Sequence, residues 1–84
     1  MRLTVRYFAG ARAAVGVTDE SFELPDEAPT VAAVLAAVRE RHGDRATRVL
    51  PACSFLLDGI AVRDHDTTVW SGSRLDVLPP FAGG

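Results

Sequence analysis

Residues able to do chemistry are few in this chain, and most are poorly placed for it. Cys53 is the single cysteine, and His42 and His65 are the two histidines. A lone cysteine cannot close an internal disulfide. Cys53 stands in Pro51-Ala-Cys-Ser-Phe55 at the start of an apolar run, with no histidine or charged motif beside it to lower its thiol pKa. It reads as a buried structural thiol. His42 and His65 are isolated, and a surface position is expected for both. Asp64-His65-Asp66 offers mixed donors within one loop, whereas metal sites draw on more convergent ligands, so no metal is expected. Gly10 and Gly16 have the wrong interval for a phosphate loop, and no Gly-Lys-Ser/Thr follows. The chain alone is not expected to bind ATP. No nucleophile elbow or Cys/His pair is present.

What remains is the stretch Leu78-Pro-Pro-Phe-Ala-Gly-Gly84. Pro79 and Pro80 favour an extended path and cannot continue a hydrogen-bonded ladder. Pro79 to Gly84 can reach roughly 20 Å when extended. Gly83 and Gly84 lack a Cβ, so they form a narrow thread that fits a partner's tunnel. A carboxylate at Gly84 on such a thread can be delivered into another protein's active site. The competing reading is a frayed end.

The rest of the chain must carry this tail. Leu3, Val5 and Tyr7 alternate with Arg2, Thr4 and Arg6, the period of a half-buried strand. The Ala-rich segment Ala9 to Gly16 reads as a short helical turn. Asp19 to Leu24 alternates again, with Phe22 and Leu24 inward, and Pro25 ends it. Thr30 offers an N-cap, and Val31, Val34, Leu35 and Val38 share one face of a helix running to His42. Gly43 is its expected C-cap. Asp44 to Pro51 reads as loop or a short turn. Ser54 to Leu57, the turn Asp58-Gly59 and Ile60 to Val62 form a hairpin. Arg63 to Thr68 is loop, Ser71 to Ser73 a turn, and Leu75 to Leu78 the last strand. One helix can cover one face of a small mixed sheet, which predicts an α+β domain. Two hairpins joined by a crossover helix place the first and last strands parallel in the middle, the β-grasp arrangement. Residues 1–84 form one domain, with a flexible tail over 79–84.

Composition sets further bounds. Of 84 residues, 48% are apolar and 24% charged, a globular balance. The formal net charge is -2, and all nine basic residues are arginines scattered among acidic ones. No basic stripe with interleaved aromatics appears, which argues against a nucleic-acid partner. No apolar run approaches membrane-spanning length and no signal-peptide pattern opens the chain, so a membrane partner is not expected and a cytoplasmic location is. Lysine is absent. Only the N-terminal amine is then left to accept an isopeptide-like bond from another copy.

These features together resemble the small sulfur-carrier proteins of the ubiquitin-like MoaD/ThiS group, and most of all its branch of molybdopterin synthase small subunits (MoaD type). The resemblance covers nearly the whole chain. Tyr7 to Gly16, "YFAGARAAVG", is similar to the group's opening Phe-Ala, Arg and Gly pattern. "FELPDEAPTVAAVLAAV", "LLDGIAV" and "SGSRLDVLPPFAGG" fit its second strand and helix, its central hairpin, and its last turn, strand and tail. Gly-Gly is shared across ubiquitin-like carriers, and Pro-Pro before it is more specific to the molybdopterin branch. Ser71-Gly-Ser-Arg74, Ala13 and Leu78 depart from the usual pattern at positions that bear on partner recognition.

The resemblance implies a non-catalytic, sulfur-carrying subunit with no bound cofactor. A partner adenylyltransferase of the E1-like kind would use ATP to adenylate the Gly84 carboxylate, and a sulfurtransferase would supply the sulfur of a thiocarboxylate. The large synthase subunit would receive the tail, and sulfur would pass to cyclic pyranopterin monophosphate in molybdenum cofactor biosynthesis. Catalytic side chains would belong to the partners. Gly83, Ala82, Phe81, Pro80 and Pro79 would contact them. Phe81 would anchor the thread in an apolar notch. By group position, Phe8 and Leu78 should face the partner, with core packing as the alternative. A role for Arg12 stays open. So do other acceptors (thiamine thiazole, cysteine or a transfer-RNA base) and a protein modifier that bonds to target lysines.

Overall fold

The computed structural model describes residues 1–80. Phe81, Ala82, Gly83 and Gly84, to which the resemblance would give the carrier chemistry, lie outside the described residues. The elements are β1 (Arg2–Tyr7), α1 (Ala9–Val15), β2 (Asp19–Glu23), α2 (Val31–His42), α3 (Asp44–Val49), a 3-10 turn (Leu50–Ala52), β3 (Ser54–Leu57), β4 (Ile60–Ala61) and β5 (Arg74–Leu78). The strands form one sheet in the order β2-β1-β5-β3-β4. β1 and β5 pair in parallel, and the other neighbours are antiparallel. This is the β-grasp arrangement expected from the sequence.

Period-two alternation puts Leu3, Val5 and Tyr7 of β1, Phe22 of β2, Phe55 of β3 and Leu75 and Val77 of β5 into the core. Val31, Val34, Leu35 and Val38 of α2 close over them. The Thr30 hydroxyl accepts from the Ala33 N–H at 3.2 Å, capping α2 as its sequence predicts. At the other end Gly43, with φ 65°, donates its N–H to the Arg39 carbonyl at 2.7 Å. The β3–β4 turn has positive φ at both Asp58 (49°) and Gly59 (84°), the conformation that makes Asp-Gly a strong hairpin signal.

One expectation is corrected. Asp44 to Pro51, read as loop or short turn, is the helix α3 followed by the 3-10 turn. Ala46 and Leu50, four residues apart, are buried and hold this segment against the core. Two buried anchors are too few to register as helical periodicity in the sequence; tertiary packing supplies the rest. Among the described residues no helix is long and apolar enough to cross a membrane.

Candidate functional site

All the buried strand residues of β1 point to the helical side. The alternate residues therefore lie on a sheet face that no helix covers among the described residues. Along β1 these are Thr4 and Arg6. Along β5 they are Arg74, Asp76 and Leu78, and along β3 Ser54 and Leu56, which pair with Leu78 and Asp76. Because β1 and β5 run parallel, they reach the same end of the molecule together. There the Phe8 N–H donates to the Val77 carbonyl at 3.2 Å, setting Phe8 beside Leu78 where the tail departs.

An ion pair organises this end. The Arg6 guanidinium grips Asp76 with two bonds, Nε to Oδ1 at 2.8 Å and a terminal nitrogen to Oδ2 at 3.0 Å. Such a two-point grip fixes direction as well as charge. It raises the Arg6 pKa above its ordinary value, through the hydrogen bond to Asp76 first of all. Arg74 approaches the same Asp76 oxygen at 3.6 Å. The Arg6 guanidinium carbon also sits 5.3 Å from the centre of the Phe8 ring, so one side chain ties Asp76 and Phe8 together on the bare face. Phe8 then turns directly into α1 through Ala9, whose φ of 46° is uncommon for a residue with a Cβ. Arg12 of α1 donates its Nε to the Tyr7 carbonyl at 3.3 Å, which supports the same turn from outside.

The structure brings Phe8, Leu78 and Pro79 together at the tail exit. All three are half-buried and Pro80 is exposed. Phe8 and Leu78 are thus outside the buried core, which removes core packing as the alternative for both. Asp76 was missed from the sequence, although its side chain is only 6% exposed on an otherwise open face. The signal was there once β1 and β5 are set in parallel, because Arg6 then stands opposite Asp76.

A second polar cluster lies behind the site, on the helical side. Glu20 Oε2 accepts the Tyr7 hydroxyl at 2.6 Å and lies 2.5 Å from His42 Nε2. Arg41 donates to Glu20 Oε1 at 3.1 Å and to the Ser21 carbonyl at 3.0 Å, while stacking 3.8 Å above the Phe22 ring. His42 also stands edge-on to Tyr7. The surface position expected for His42 is therefore corrected, for its side chain is only 14% exposed. The cause is the landing of the C-terminal turn of α2 on β2. Glu20 shares the inward alternation of Phe22, and an inward carboxylate needs donors; that was its legible sign. His65 remains exposed, edge-on to Phe55.

Burial works against the Glu20 charge. The hydrogen bonds from Tyr7, His42 and Arg41 outweigh it and hold the carboxyl below its usual range. The same burial, reinforced by Glu20, pushes the Tyr7 hydroxyl pKa far up. A lowered carboxylate pKa in the folded state stabilises above the unfolded value, near 4.3, and that contribution disappears as pH falls through the folded value. Glu20→Gln should therefore lose less of its thermal stability than the parent as pH falls below the ordinary carboxylate range. Parallel acid limbs in a melting-temperature series would contradict this.

Cys53 donates its Sγ–H to the Val49 carbonyl at 3.2 Å, and burial pushes its thiol pKa up. This is the environment of a structural thiol. Cys53→Ser should keep any sulfur-acceptor activity of the chain, at a cost of about 1 kcal/mol or less in stability; a folded but inactive variant would assign the thiol a chemical role. Among the described residues no three His, Cys, Asp or Glu side chains converge as a metal site would require.

The described site thus contains an apolar step, an ion pair that braces it, and the base of a tail, with no convergent catalytic groups. A family model described as "ThiS family" matches residues 5–84. The chain belongs to the ThiS family. Within that family it is 34% identical, over the full length of both chains, to the molybdopterin synthase sulfur carrier subunit of Chlamydomonas reinhardtii. It is also similar in structure to a putative molybdopterin converting factor subunit 1 from Pyrococcus furiosus. That likeness has a TM-score of 0.85 and 25% identity, and covers 96% of this chain and 99% of the other. The fold is shared with SAMP1 from Haloferax volcanii, at a TM-score of 0.88 and 22% identity over the whole of both chains. In this ThiS-family chain, the parallel β1–β5 pairing sets Phe8 beside Leu78, and the Arg6–Asp76 ion pair with Arg6 over the Phe8 ring braces that end.

Proposed function

We propose that this chain is the sulfur-carrier subunit of a molybdopterin synthase, carrying sulfur as a thiocarboxylate on Gly84. The observation that carries this reading is the full-length 34% identity to a protein named as that subunit. The geometry supports it, because Phe8 and Leu78 form an apolar step on a bare sheet face where the tail begins. The fold holds the base of the tail rigidly through β5, while Pro79 and Pro80 leave the ladder.

The chemistry follows from the weakness of a carboxylate as an electrophile. A Gly84 oxygen attacks the α-phosphorus of ATP in a partner adenylyltransferase, and pyrophosphate leaves. Sulfur delivered at the sulfide level by a sulfurtransferase then adds to the acyl carbon, and AMP departs. The thiocarboxylate enters the large synthase subunit, which supplies the catalytic groups; its sulfur bonds to a carbon of cyclic pyranopterin monophosphate in place of an oxygen substituent, and water then cleaves the acyl–sulfur bond, returning the Gly84 carboxylate. This chain's part is to bind through Phe8, Leu78 and Pro79 and to present Phe81, Ala82, Gly83 and Gly84.

Incubation with the adenylyltransferase, ATP and a sulfur donor should replace one oxygen by sulfur within the last tryptic peptide, read by intact-mass and peptide mass spectrometry. An unchanged mass, with the enzymes active on another carrier, would refute the proposal.

A further inference from the structure

Resting on that reading, we infer that Asp76 is a positioning residue: acting through Arg6, it holds the Phe8 ring in the orientation in which that ring meets the large synthase subunit. Three observations converge. The first is register. Arg6 stands directly opposite Asp76 on the parallel strand. Phe8 follows Arg6 by two residues on backbone that is still extended, with φ -122° and ψ 149°. Side chains two apart on extended backbone point the same way. Arg6 therefore lies between a carboxylate across the ladder and a ring next along the chain. The second is rigidity, which falls off from the centre of the sheet. β5 is paired on both sides, with β1 and with β3. Asp76 on it is only 6% exposed, which leaves its carboxylate little room to turn. Arg6 is 38% exposed and would be mobile by itself, but its two bonds to Asp76, at 2.8 and 3.0 Å, fix the plane of the guanidinium. The guanidinium carbon then stands 5.3 Å from the centre of the Phe8 ring, within cation–π range. The Phe8 backbone is fixed separately, by its N–H to the Val77 carbonyl at 3.2 Å and by the turn into α1. Those contacts leave the rotamer of a half-buried ring open, and Arg6 closes it.

The third is cover. Both Asp76 oxygens are engaged by Arg6, and Arg74 lies 3.6 Å from Oδ1. A carboxylate so covered has little surface to offer a docking partner, so its influence on docking passes through Arg6. Neutralising Asp76 replaces a two-point acceptor by an amide oxygen and removes the charge that draws Arg6 across the ladder. Arg6 is then free to turn to solvent or toward Asp19, which faces it in register on β2. The Phe8 ring is left to sample several rotamers, and docking must select one of them. A ring ordered beforehand avoids that entropy cost, which for one side chain is a factor of about three to ten in affinity.

Two measurements test this. The first needs no partner: the χ1 populations of Phe8 in the free protein are read by NMR from the three-bond couplings of its Cγ to backbone nitrogen and carbonyl carbon. The parent should show one dominant rotamer. Asp76→Asn should show averaged couplings, and so should Arg6→Lys, which keeps the charge and loses the planar fork. Arg6→Lys leaves Asp76 facing Arg74, so it keeps the test open if Asp76→Asn does not fold. Parent-like couplings in the folded variants would overturn the inference. The second is calorimetric titration of the large synthase subunit with the parent, Asp76→Asn, Phe8→Ala and the double variant. Asp76→Asn should weaken binding about three- to tenfold, and the same substitution should change affinity little when Phe8 is already alanine. An equal loss in both backgrounds would mean that Asp76 acts by a route other than Phe8. Unchanged affinity in Asp76→Asn would leave it a purely structural role. Either result would overturn the inference. A parent that does not bind the large subunit would instead count against the carrier reading, and the Phe8 couplings then decide the inference by themselves.

Discussion

Deleting Gly84, or adding one alanine after it, should abolish sulfur acceptance and molybdopterin formation while leaving the melting temperature unchanged. Deletion shortens the reach by about 3.5 Å, enough to remove the carboxylate from attack geometry in a fitted active site. The added alanine moves the carboxylate outward by the same step and brings a Cβ into a passage sized for glycine. Neither change touches the core of the described residues, whose last buried member is Val77. The loss should be of at least about three orders of magnitude in rate, since alignment of the reacting carbon is worth that much in intramolecular reactions. Either variant working at the parent rate would leave the tail as a frayed end and remove the basis of the carrier reading.

The second large effect is expected on the bare face. Phe8→Ala and Leu78→Ala should each weaken binding to the large synthase subunit about 10- to 100-fold, as measured by calorimetric titration. Both side chains are half-buried in the free chain, so their loss should cost little stability. Val77→Ala, one residue earlier on the same strand, makes the converse control. Val77 is fully buried, and its truncation should cost about 2 kcal/mol of folding stability with little effect on affinity in the folded protein. Unchanged affinity in both Phe8→Ala and Leu78→Ala would move the interface elsewhere.

The sequence was most informative where a pattern repeats. α2 was legible to its caps, because four apolar residues share one helical face and Thr30 and Gly43 bound them. The alternation in β1, β2 and β5 assigned each strand's buried side, and Asp58-Gly59 located the hairpin. α3 was not legible, because its hold on the core comes from only two buried residues whose partners lie elsewhere in the chain. His42 looked isolated because Glu20 and Tyr7, its partners, are 22 and 35 positions away, brought in by β2 pairing with β1 and by the landing of α2.

The same division holds for the site. Residue types alone directed attention to Gly84, since no side-chain constellation competed with it, and showed that the sequence has no lysine. Only the tertiary structure decided that Phe8 and Leu78 stand side by side outside the core. That depends on the parallel pairing of β1 with β5, a contact between residues about 70 positions apart, which no local periodicity encodes. It likewise decided that Asp76 is a buried carboxylate gripped by Arg6. Local sequence sets which way each side chain points along its own strand; the long-range pairing of strands sets which of those side chains become neighbours.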